Sequence, residues 1–380
     1  MIVIVAIALT ACMSSASVMA MAQKRLFLDL SLEFLGAYQL AKTTFKDTVV
    51  GGLSGITYDR QQNLFYAVSD DRSNLAPARF YTLNLVLDRN SSKTKINDIE
   101  IKNVTFLSNE KQEQYAPGAI DGEGIALSPR GTVFISSEGN REKGVNPWIG
   151  EFDLKTGQLK QYLRIPQRYL LESPQAKEAQ EAKGIQNNKA FESLTLNQSG
   201  LSPQDPFRLF TATESSLIQD DIPKTPEVET KIRMMHYVIN PVGDPVLVSE
   251  QLYLLDPGNN ETVASGLSEM MALPKEGYFL SLERSMNMTG YGVKVYQVAA
   301  SDATDTSPLA SLSGNISLIQ PLRKKLLLDL NQLGIELDNL EGMTLGPRLP
   351  DGSQSLVLVS DDNFKEEQVT QFLLFKLTRS

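Results

Sequence analysis

Short apolar runs of the length and β-branched or aromatic content expected of strands, broken by Gly, Pro, Asn and Asp, recur along the chain in pairs. A small or acidic residue opens a first run, a turn follows, and a second run ends on a carboxylate. The clearest copy spans residues 121–141, where 124–127 (GIAL) is answered by 132–137 (TVFISS), leading to Glu138 and Arg141. Residues 53–58 (LSGITY) are answered in the same way by 64–72 (LFYAVSDDR), and 191–196 (FESLTL) by 207–214 (FRLFTATE). The fourth copy joins 268–273 (SEMMAL) to 278–284 (YFLSLER), and the fifth joins 340–345 (LEGMTL) to 355–362 (SLVLVSDD). Anchored on Ser54, Glu123, Glu192, Glu269 and Glu341, the copies are spaced by 69, 69, 77 and 72 residues, which predicts an internally repeated fold.

Between the anchors lie further strand-like runs at 79–87, 99–107, 148–154, 160–165, 234–239, 246–255, 292–298 and 323–330. Each interval thus holds about four strands, the number in a propeller blade. Residues 32–40 supply a strand before the first anchor, and 371–377 the last one. The prediction is an all-β, five-bladed β-propeller closed by its N- and C-terminal strands, since an open array would leave two exposed sheet edges. The intervals are long for single blades, so six blades remain open if one interval hides a blade without the motif. Residues 170–190 interrupt the pattern with Glu, Ala, Lys and Gln and predict a surface insertion with a short helix.

At 380 residues and 42% hydrophobic, the chain can bury a large core, and the repeat favours one domain over residues 30–380. A net charge of −9 argues against a nucleic-acid partner. Cys12 is the only cysteine and His236 the only histidine, which excludes an intrachain disulfide, a thiolate zinc site and a histidine-rich metal cluster. Residues 1–11 are apolar but too short to span a bilayer, and they predict an export signal within 1–22. Two processing routes fit: cleavage before Cys12 in a lipobox-like LTAC, with lipid attachment as the sole membrane contact, or cleavage after Ala20 or Ala22. No Lys or Arg precedes the apolar run. The expected setting is extracytoplasmic, periplasmic or secreted, and the expected state a monomer.

Turned toward one axis, Glu123, Glu192, Glu269 and Glu341 would form a carboxylate ring with Ser54 in the fifth place. That ring can line the channel or brace neighbouring blades. The second-strand ends add Asp70, Asp71, Glu138, Glu214, Glu283, Asp361 and Asp362, an all-oxygen pool suited to calcium or magnesium. Arg72, Arg141 and Arg284 can balance that charge or hold an anion. His236, inside an apolar strand, predicts a packed side chain, and Trp148 a packed or rim aromatic. No nucleophile elbow, P-loop or dinucleotide fingerprint is present, so neither a serine triad nor a nucleotide or haem cofactor is expected.

The ordered set LSGITY with AVSDDR, DGEGI with ISSE, FESL, LER, and LEGM with VSDD resembles the esterase-like, phytase-like family of bacteria and cyanobacteria, over about residues 45–377. That resemblance implies a β-propeller and a phosphoric-ester hydrolase. By analogy with calcium-dependent propeller phytases, it implies cation-assisted attack of water on a small phosphorylated substrate. Asp70, Asp71 and Glu138 would then be catalytic, the second-strand carboxylates would be ligands, and Arg72, Arg141 and Arg284 would contact phosphate. The chain lacks the dense lysine cluster expected of a site for highly phosphorylated substrates. A noncatalytic ligand- or protein-binding propeller and a carboxylic-ester hydrolase are the alternatives.

Overall fold

The computed structural model describes residues 26–88, 94–171, 183–198, 200, 202–221, 229–258 and 262–379. The export signal with Cys12, Ala20 and Ala22, and most of the insertion expected at 170–190, lie outside the described residues. Among the described residues no helix is long and apolar enough to cross a membrane.

Strand β1 (Leu30–Leu40) is followed by a small hairpin, β2 (Thr43–Phe45) and β3 (Thr48–Val50). Blade I then comprises β4 (Leu53–Asp59), β5 (Leu64–Ser69), β6 (Arg79–Asp88) and β7 (Lys95–Phe106). Blade II comprises β8 (Gly122–Leu127), β9 (Thr132–Ser137), β10 (Trp148–Asp153) and β11 (Leu159–Tyr162). Blade III is built from β12 (Phe191–Asn197), β13 (Phe207–Thr213), β14 (Thr230–Ile239) and β15 (Val246–Leu255). Blade IV is built from β16 (Thr262–Ala272), β17 (Tyr278–Asn287), β18 (Gly290–Ala299) and β19 (Arg323–Asp329). Blade V takes β20 (Asn339–Arg348), β21 (Gln354–Asp361) and β22 (Thr370–Arg379), and its outermost place is filled by β1.

All five blades are four-stranded antiparallel sheets, and the open question of a sixth is resolved to five. The closure pairs Leu30 with Arg379 and runs to Leu40 with Thr370. The small β2–β3 hairpin was not expected from the sequence.

The first strands β4, β8, β12, β16 and β20 each touch two others of the set, closing a ring about one axis. Five apolar clusters fill the gaps between successive blades, one per gap. Each sheet is therefore buried on both faces, and its middle strands read as continuous apolar runs instead of alternating ones.

Every first strand carries a register shift near its start, the mark of a β-bulge that re-aims a side chain. The shift falls on Ser54, on Glu123 with Gly124, on Glu192, on Ser268 and on Glu341. In blade IV the repeat position is thus Ser268, and Glu269 stands one place further on, level with Gly55, Gly124, Ser193 and Gly342. At that level the strands crowd together: a Cβ on Gly55 would lie 2.3 Å from the Glu123 carbonyl oxygen, and one on Gly124 2.5 Å from Leu194 Cβ.

Candidate functional site

The second strands run back toward the starts of the first strands and there deliver a second set of side chains. Leu53 pairs with Ser69, Gly122 with Ser137, Phe191 with Thr213, Leu267 with Glu283, and Leu340 with Ser360. One residue beyond these partners stand Asp70, Glu138, Glu214, Arg284 and Asp361. Two rings result, Ser54/Glu123/Glu192/Ser268/Glu341 and Asp70/Glu138/Glu214/Arg284/Asp361. Four blades contribute carboxylates, whereas blade IV contributes a hydroxyl and a guanidinium.

Four of these acidic groups and their neighbour Asp121 are drawn tightly together. Carboxylate oxygens of Asp121, Glu123 and Glu138 lie within 4.8 Å of one another, and so do those of Glu138, Glu192 and Glu214. All five residues are buried. Glu138 belongs to both groups; its Oε1 accepts from the Ala190 amide at 2.7 Å, while its Oε2 is buried with no hydrogen-bond partner among the described residues. Asp70 Oδ1 and Ser268 Oγ are likewise buried and unpaired.

Burial and mutual repulsion raise the proton affinity of Glu123, Glu138 and Glu192. Glu123 is pushed well up by burial, then by Glu192, Asp121, Glu138 and Asp70. Glu138 is pushed well up by burial, Asp121 and Glu214, and Glu192 by burial, Glu138, Glu341 and Glu214. Burial likewise lifts Asp70, Asp121, Glu341 and Asp361.

Cations face this excess, among them Arg72, Arg284 and Lys189. Arg72 Nε donates to Asp121 Oδ1 at 2.7 Å, and its guanidinium also reaches Asn188. Its left-handed backbone, φ 57°, turns the chain just after β5. Arg284 bonds Glu341 and Asn339 and lies 3.5 Å from Glu214, which Lys189 also approaches at 3.5 Å. Asp121 and Lys189 were not singled out from the sequence; Asp121 had a signal in standing two places before Glu123, and Lys189 had none.

The remaining sequence candidates stand elsewhere. Asp71 is paired with the fully buried Arg79 and accepts from the amides of Leu75 and Ala76. Asp362 accepts from the amides of Gly52 and Phe364. Glu283 points to the opposite face of its strand from Arg284, toward Lys324 and Tyr253. Arg141 donates to the carbonyls of Lys183 and Ile185, pinning the loop before blade III.

Glu269 is buried without a cationic partner: Met270 N donates to its Oε1 at 2.8 Å. Backbone groups of Met270, Leu194 and Met343 also steady it, yet burial pushes its carboxyl up to about 8. His236 packs on Phe210, with ring centroids 4.5 Å apart, and burial with the Arg208 charge lowers it to about 4. Trp148 stacks on Tyr115 at 5.9 Å between centroids.

A buried cluster of oxygen donors that includes an unpaired oxygen could hold a hard cation, and the neighbouring arginines could orient an anion beside it. The family described as "Phytase-like: Esterase-like activity of phytase" matches residues 48–364. No curated protein matches the chain in sequence. Among solved structures, the chain is similar to the catalytic domain of the Coprinopsis cinerea GH62 alpha-L-arabinofuranosidase, at 8% identity and TM-score 0.42, covering 92% of this chain and 97% of that one. It is also similar to the Bombyx mori GH32 beta-fructofuranosidase, at 8% identity and TM-score 0.40, covering 85% and 59%. A third similarity is to the Neurospora crassa Pan2 WD40 domain, at 10% identity and TM-score 0.31, covering 91% and 95%.

Proposed function

From the premise that this chain belongs to the phytase-like family, we propose that its acidic mouth hydrolyses a phosphoric ester with the help of a divalent cation. The observation that carries this reading is Glu138, which belongs to both three-carboxylate groups and whose Oε2 is buried and unpaired among the described residues. A buried unpaired carboxylate oxygen among other carboxylates is costly unless a proton or a cation meets it. The donors are all oxygen, which fits calcium or magnesium better than a softer metal.

Asp121, Glu123 and Glu138, or Glu138, Glu192 and Glu214, would hold the ion, which would supply charge neutralisation and polarisation of a phosphoryl oxygen. The chain's own groups do the rest. Arg284, beside the uncharged Ser268 of blade IV, marks the basic sector of the mouth and takes the substrate's anionic group. Arg72 orients Asp121 through its 2.7 Å bond and adds a second positive charge. Asp70, whose Oδ1 lacks a partner among the described residues and whose proton affinity is raised, would take a proton from the attacking water at that atom. We infer an extracytoplasmic setting from the predicted signal at 1–22.

The test is hydrolysis of p-nitrophenyl phosphate and p-nitrophenyl acetate by the metal-stripped protein on titration with calcium, magnesium or manganese. The reading expects phosphate-ester turnover that rises saturably with calcium or magnesium and is lost in Glu138→Gln with an unchanged circular dichroism spectrum. Preference for the acetate ester would establish a carboxylic-ester hydrolase instead. Failure of both substrates with every metal would leave a binding propeller.

A further inference from the structure

At the far ends of the same first strands the ring opens again. The residues after the bulges, Ile56, Ile125, Leu194, Met271 and Met343 among them, line a cavity of about 400 Å³ on the side opposite the acidic mouth. Glu269 closes its inner end, where the strands crowd. A second cavity of about 640 Å³, walled by Leu28, Leu30, Leu273 and Leu377, shares Pro274, Leu345, Arg348 and Gln354 with the first. The two adjoin across these shared residues and are together termed the trough.

The charge of this trough is opposite to that of the chain as a whole. Arg60 lines the first cavity and Arg379 the second; both are exposed, and neither makes a side-chain hydrogen bond or ion pair among the described residues. Arg348, common to both cavities, donates only to the Gly352 carbonyl. The acids are occupied: Glu269 accepts from Met270, and Asp351 is bound by Lys376 at 2.6 Å. Wall hydroxyls are also engaged, Thr57 Oγ1 accepting from Leu127 N at 3.2 Å and Thr195 Oγ1 from Ala272 N at 3.0 Å. What remains for an occupant is apolar contact along the trough and positive charge at its rim.

We propose that this second mouth binds an amphipathic anion, its single alkyl chain lying in the trough and its head group on Arg60 and Arg348. The site is separate from the acidic mouth and does not depend on hydrolysis there. A carboxylate and a phosphate head share the chemistry the guanidiniums recognise.

The experiment is isothermal titration of the full chain with octanoate, nonanoate, decanoate, decyl phosphate and decanol, each below its micelle concentration. Saturable one-to-one binding is expected, tightening by roughly fourfold per added methylene while chain is still being buried. The two decyl anions should bind more tightly than decanol, and their ratio tells which head group is preferred. Arg60→Glu/Arg348→Glu alters two exposed side chains and should weaken both decyl anions by about tenfold while leaving decanol unchanged. Absence of saturable binding, equal affinity for decanol and decanoate, or indifference of decanoate to the charge reversal would each overturn the proposal.

Discussion

Glu269 offers the most direct quantitative test of the axis. Its carboxyl, ordinarily at 4.5, is pushed up to about 8 by burial. Between those two pH values the folded chain keeps a proton that the unfolded chain has released, so stability must fall as pH rises. The gradient approaches roughly 1.4 kcal/mol per pH unit for one proton, and the whole span comes to about 5 kcal/mol, fully expressed above pH 8 and absent below pH 4.5. Glu269→Gln has nearly the same shape and no charge at any pH. Its amide brings a pH-independent change of about 1–2 kcal/mol for an altered hydrogen bond, so the pH-dependent part of the difference isolates the carboxyl. Urea unfolding of both proteins at pH 5, 6, 7 and 8, with chelator present throughout, should show the variant gaining on the parent by several kcal/mol across the series. A difference that stays constant from pH 5 to pH 8 would refute the claim that this carboxyl is held neutral by burial.

Gly124→Ala should lower the urea midpoint by an amount equivalent to about 1–3 kcal/mol, the usual cost of overpacking, because the added Cβ meets Leu194 Cβ at 2.5 Å and the Glu192 carbonyl oxygen at 2.8 Å. Arg79→Met strands Asp71 in a buried site and should cost about 3 kcal/mol or more, partly recovered in Arg79→Met/Asp71→Asn when both are followed by denaturant unfolding. Calcium at a hundredfold its dissociation constant should stabilise the parent by about 2.7 kcal/mol; in Glu138→Gln the midpoint measured by calorimetry should not respond. The sole histidine gives one set of imidazole resonances, and their proton NMR titration should centre at about 4 instead of 6.5, reflecting a ring buried beside Arg208.

The propeller was legible because its five strand pairs repeat both composition and spacing, and closure of the ring then follows from the need to cover two sheet edges. The two acidic rings were nearly legible too, except in blade IV. There Glu269 and Glu283 imitate the acidic positions of the other copies while each stands one place out of step with them. The true alignment is set by bulges, which depend on backbone pairing across strands. A hydrophobic cue was present, since Met270 holds the place of Ile56, Ile125, Leu194 and Met343. Adjacent acids such as Asp70 and Asp71 could not be told apart from composition, because period-two alternation sends one toward the axis and the other toward a partner, Arg79, that lies eight residues on.

The union of β1 with β22 also governs how the chain must acquire its structure. Contacts between Leu30 and Arg379 join residues almost a full chain apart, and loop closure over such a distance delays their formation. Blades I to IV can each be made from local hairpins as synthesis proceeds, while the strand that begins the described chain waits with an unsatisfied edge. The acidic rings likewise lack Glu341 and Asp361 until blade V is made. Closure of the propeller and completion of the two side-chain rings are therefore coupled late events, whereas the carboxylates that would hold a cation, all carried by blades II and III, can gather before them.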